Sequence, residues 1–324
     1  MHKIDEFKNG YQPFLGHQNG GQAAPLAQWL IDDGLELFRD GFLEETKTAP
    51  SGGASGQLVE QAFADGPNDQ KRKFQQSAFF AANASIFLSV GRDVSEGIVK
   101  ASSHDAESLF ATRHLGLLRK LVLDAQYLLE EWGAAKLQVP GVFGIGKNPI
   151  HCSFQISHAA EQLYFGGSPF FAFADNASES STALIRIALE TRLRFGFGVL
   201  GITEKASGAF VPLNMKNLFE ALDSHASSIT FSVPLAHQRR IYGWSNTYVH
   251  TGLRDYIWLP RFAATYLNGI LRGGQHDKGQ SVHAGIITTK ATIEAVQNEV
   301  EGKIDLTTHE LLKIPAEHCD AVFR

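Results

Sequence analysis

The chain has 324 residues, 44% of them hydrophobic and 19% charged, with a formal net charge of −5; this length supports a full hydrophobic core and about two domains, and the composition excludes whole-chain disorder. A net acidic chain has no global field that draws nucleic acid, so such binding would rest on a local cluster such as Arg186, Arg192, Arg194, Arg239 and Arg240. Cys152 and Cys319, the only cysteines, are far apart and lack CxxC spacing, which excludes a disulfide framework and a cysteine-rich zinc site.

The opening MHKIDEFKNGYQPF lacks the apolar core of a signal peptide, and the longest apolar segments are interrupted by Arg, Asp, Glu or Gly before they could span a bilayer. A cytoplasmic protein with no membrane partner is the expectation. The first twenty or so residues, rich in Gly, Gln and Asn, read as irregular. From Pro25, Leu26, Trp29, Leu30, Leu37 and Phe38 recur near helical spacing up to Glu44 and Glu45, and Thr48–Gly56 reads as a flexible linker. Two long helices are expected at about 72–91, with Phe79, Phe80, Ile86 and Phe87, and at about 104–132, with Leu109, Leu115, Leu118, Leu121 and Leu128.

Pro140, the glycines of 141–146 and Pro149 interrupt regular helix, and 150–175 reads as short mixed elements around the aromatic run Phe165–Phe173. Ser178, Ser180 and Ser181 offer caps for a central helix of about 180–200. A loop at 203–212, a short helix at 213–225, a helix from Pro234 to about Thr251 and another at about 254–272 follow. The end of the chain reads as a polar loop (GGQHDKGQ), a β-like run Val282–Thr288, and helices at 289–301 and 307–313, the last with a Thr307/Glu310 capping box. The expected architecture is mainly α: an N-terminal helical region (1–175), a helical bundle (176–272) and a small C-terminal strand and helix appendage (273–324).

Chemistry concentrates in Tyr242-Gly-Trp-Ser-Asn-Thr-Tyr-Val-His-Thr-Gly252. Tyr242, Asn246 and His250 fall four apart and so share one side of a helix. This polar stripe, placed next to an earlier arginine-bearing helix, resembles the HEPN superfamily of small helical bundles, in which a late helix carries a polar residue and a His followed by a small residue. The resemblance covers about 180–272. It implies a homodimer and metal-independent RNA cleavage, in which an Arg holds the phosphate while His moves a proton to or from the RNA 2′-hydroxyl. It also implies a bacterial defence or toxin–antitoxin setting.

The sequence departs from the pattern where the family carries that Arg: Gly243, Trp244 and Ser245 stand there. Arg240, ten residues before His250, points well away from it. Arg254 would share the face of His250 if the helix continued past Gly252, and Arg192 and Arg194 on the earlier helix could supply the cation. There Arg186, Glu190 and Arg194 repeat at four-residue spacing on one face, whereas Arg192 points roughly 200° from Glu190. The candidate site is thus His250 and Asn246 for catalysis, with Tyr242, Glu190, Arg192, Arg194 and Arg254 around substrate.

A blander reading stays open, because a His and an Asn on an inner helix face also fit satisfied core polar residues, and the Arg186/Glu190/Arg194 stripe fits a solvated face. Trp244, Tyr248, Trp258 and Tyr266 read as core aromatics with a polar tip. Gly141–Asn148 matches G-x-x-x-x-G-K, but Asn148 replaces the Ser/Thr that would hold Mg²⁺ and Pro149 opposes the following helix, so it reads as an ordinary glycine-rich loop. His151, Cys152 and His158, and likewise His318, Cys319 and Asp320, lack ligand spacing. No metal and no cofactor is expected.

Two functions follow. The first is a HEPN-like protein that binds or cleaves RNA, or binds nucleotide. The second is a non-catalytic module that kept the fold, lost the chemistry and holds a protein partner; it expects His250→Ala to lower thermal stability.

Overall fold

The computed structural model describes residues 2–15, 23–50, 52–64, 69, 72–102, 107–137, 177–252, 255–277 and 279–324. The protein is mainly helical, with a few short strands. No described helix is long and apolar enough to cross a membrane. The chain divides into two compact units, the first Met1–Leu184 with Gly243–Ala263, the second Ile185–Tyr242 with Ala264–Arg324.

The first unit opens with helix α1 (Lys3–Leu15), where the sequence composition suggested irregular chain. Ile4, Phe7 and Tyr11, at helical spacing, bury one face of it, and this apolar stripe outweighs the Gly, Asn and Gln around it. Gly10 is needed for close approach: a Cβ there would lie 2.3 Å from the Trp29 ring. Helix α2 (Ala23–Trp29) passes through one π-helical turn, Leu30–Gly34, into α3 (Leu35–Thr46). Helix α4 begins at Ser55 and runs to Ala62, so the expected linker is shorter than its composition suggests.

Helices α5 (Ser77–Ser102) and α6 (Glu107–Leu137) are the long pair, displaced toward the C-terminus from their expected bounds. They pack on each other, and α2, α3 and α4 pack on α5. Phe38 meets Phe87 edge-on with ring centroids 4.5 Å apart, at the centre of an aromatic core that includes the fully buried Phe7, Phe80 and Trp258. Such contacts add about 0.5–1.5 kcal/mol each beyond area burial.

Helix α7 (Ala177–Phe197) starts earlier than expected, so Ser180 and Ser181 lie inside its first turns. It ends where Gly198 takes a left-handed backbone, φ 65°, and the chain turns into strand. Strand β1 (Val199–Glu204) begins where the end of the helix was expected and runs into the region expected as a loop, which also holds β2 (Phe210–Val211). Helix α8 (Met215–Ser224), capped by the Asn214 side chain accepting from Lys216 N at 3.0 Å, leads to β3 (Thr230–Phe231) and helix α9 (Leu235–Thr251).

The helix expected at 254–272 is two, α10 (Trp258–Tyr266) and α11 (Asn268–Arg272). The polar loop forms a hairpin, β4 (Gly274–His276) with β5 (Gly279–Ser281). Strand β6 (Ile286–Thr288) precedes α12 (Lys290–Glu301), whose first turn is capped by Thr289. The helix expected at 307–313 is instead strand β7 (His309–Lys313). There Thr307 serves an Asp305 turn, its N–H and hydroxyl both donating to Asp305 Oδ1, and β7 pairs antiparallel with β1. The second unit thus holds a β2-β1-β7 sheet and a β3-β6-β8 sheet, with β8 (Val322–Phe323) parallel to β6.

Candidate functional site

Helix α9 carries the Tyr242–His250 segment, and the whole span is helical. Its first carbonyls come from Pro234, which accepts from His237 N and Gln238 N. It stops because Gly252, at φ 68°, turns left-handed and donates its N–H to Tyr248 O at 2.8 Å. The condition under which Arg254 would extend the His250 face is therefore not met, and Arg254 itself lies outside the described residues.

The side of α9 that turns inward is not the expected polar stripe. Trp244 and Ser245 are 5% and 0% exposed, whereas Asn246 is half-buried and His250 is exposed. Trp244 meets Phe63 edge-on at 4.9 Å, and its indole N–H donates to Asp255 Oδ2 at 3.3 Å. The residue type decides this: the largest apolar surface in the segment belongs to Trp244, and burying it places Asn246, about 200° further round, and His250, about 240° round, toward the rim. Asn246 Oδ1 is buried with no hydrogen-bond donor among the described residues. One turn on, the exposed His250 stands in the last turn of the helix beside exposed Val249.

The chain beyond this helix end is seated by a buried polar network that the sequence reading missed. Asp124 Oδ2 accepts the backbone N–H of Ile257 at 2.8 Å, and the Tyr256 hydroxyl donates to Glu131 Oε2. Trp258 Nε1 donates to Asn83 Oδ1 at 3.1 Å, and Asn83 in turn donates to Phe79 O. Tyr256 stacks on Trp258 with centroids 4.7 Å apart. Burial, then the Glu131 carboxylate, hold the Tyr256 and Tyr127 hydroxyls well above the ordinary tyrosine range, so both stay protonated donors. The available sequence signal was a pair of acids, Asp124 and Glu131, at positions seven apart within the apolar stripe of α6.

In the second unit, three of the residues expected around substrate, Tyr242, Glu190 and Arg192, are engaged with the protein. Tyr242 OH donates to Glu190 Oε1 at 3.0 Å and accepts from Arg186 Nη2 at 3.3 Å; the Arg186–Glu190 pair is 3.7 Å apart. Burial is the main cause that raises the Tyr242 hydroxyl above its ordinary value. Arg192 is engaged within the protein. Its guanidinium donates to three backbone carbonyls, Ile270 O at 2.8 Å, His283 O at 3.0 Å and Asp320 O at 2.5 Å. Burial lowers its pKa, and the three acceptors replace the water it gave up. Arg194 is half-buried, with its Nε sealed from solvent and without an acceptor among the described residues.

The expected core aromatics divide in burial: Trp244 and Trp258 are buried, Tyr248 and Tyr266 half-buried. Among the described residues no group of three or more His, Cys, Asp or Glu is placed to hold a metal ion. The Gly141–Asn148 loop and the His151, Cys152 and His158 group lie outside the described residues. Cys319 is buried, which pushes its thiol up to about 11 and leaves it unreactive at neutral pH.

Comparison of the chain with protein-family models, with curated proteins and with solved structures returned no match.

Proposed function

We propose that this is a HEPN-like helical protein that binds RNA or nucleotide at the C-terminal end of α9, with His250 as the proton-transfer residue of a metal-independent cleavage. The observation that carries this reading is the exposed His250 imidazole near the end of α9, one turn beyond an Asn246 whose side-chain oxygen has no donor among the described residues. An imidazole that is to exchange a proton with a ribose hydroxyl needs solvent and substrate access as well as a fixed backbone, and the socket of Asp124, Glu131 and Asn83 supports the second requirement. The test is cleavage of single-stranded RNA in the presence of a chelator, comparing wild type with His250→Ala. Product from the wild type alone supports the reading; equal activity in both, or none in either, removes the nuclease form.

A second reading, a non-catalytic module that holds a protein partner, is favoured by the fate of the cations. Arg192 is spent on three backbone carbonyls, and the family's arginine position is occupied in part by Trp244, which is buried. Fluorescence anisotropy with a labelled single-stranded RNA separates the two: no saturable binding by the intact chain leaves the partner-holding module as the reading to pursue.

A further inference from the structure

We draw no further inference here: the strongest candidate, the exposed apolar stripe of Leu184, Ile187 and Phe195 along helix α7, carries no proposal because nothing in the structure shows what covers it.

Discussion

The carboxylate of Asp124 accepts the backbone N–H of Ile257 at 2.8 Å inside the core, joining two points 133 residues apart in the chain. A buried main-chain donor has no alternative partner once water is excluded, so this acceptor is costly to lose. Asp124→Ala should destabilise the protein by about 1–3 kcal/mol. Asp124→Asn, which keeps a side-chain oxygen, should lose less. Urea unfolding followed by tryptophan fluorescence measures the difference, and equal midpoints for the two variants would contradict the assigned role.

Arg192 gathers three carbonyls from three separate segments with three different nitrogens of its planar fork, a spread of donor positions that the single nitrogen of an ammonium does not reproduce. Arg192→Met should therefore cost at least about 1–3 kcal/mol, the penalty of orphaning one buried acceptor, and Arg192→Lys should recover only part of it. Arg194→Gln, at a half-buried position whose Nε has no acceptor among the described residues, should stay within about 0.5 kcal/mol of wild type. Denaturation midpoints of the three variants give the ranking.

His250 is exposed, so its removal has little packing to disturb. His250→Ala should leave the melting temperature within about 2 °C of wild type. This differs from the loss of stability that a core histidine would produce. Differential scanning calorimetry decides it, and an unchanged transition makes any functional defect of the variant attributable to the imidazole.

Asp305 accepts from Thr307 Oγ1 at 2.5 Å, from Thr308 Oγ1 at 2.8 Å and from Thr307 N at 3.0 Å, which lowers its pKa to about 2. The folded value lies below the unfolded one of about 3.9, so the stabilisation is fully present above about pH 4 and fades as the pH falls toward 2. Asp305→Asn should lower stability at neutral pH, where the carboxylate's contribution is fully present, and flatten the dependence of stability on pH between about 4 and 2. Unfolding midpoints at a series of acid pH values measure this.

Cys319 should resist alkylation in the folded protein, because burial first, then the carboxylates of Asp320 and Glu317, raise its thiol to about 11. Labelling read by peptide mass spectrometry should remain low at pH 8 and rise on adding denaturant. Rapid labelling of the native protein would show the site to be open.

Part of this protein was legible in its residues alone. The four-residue spacing of Tyr242, Asn246 and His250 lies within α9, and the apolar periodicities announced α5, α6 and α12, because those signals come from the geometry of a single backbone segment. The capping pair Thr307/Glu310 shows the limit. It is a sound local start signal, yet β1, more than a hundred residues earlier, offers β7 a ladder that the isolated segment cannot anticipate.

Residues alone therefore determined that the chain is mainly helical and that Tyr242, Asn246 and His250 share a helix. Only tertiary structure decided that Trp244 takes the interior and leaves His250 in water, that Arg192 serves backbone carbonyls, and that Asp124 and Glu131 are buried acceptors. The physical reason is that helical spacing is a property of adjacent residues, whereas burial and hydrogen-bond partners depend on which distant segments exclude water from one another.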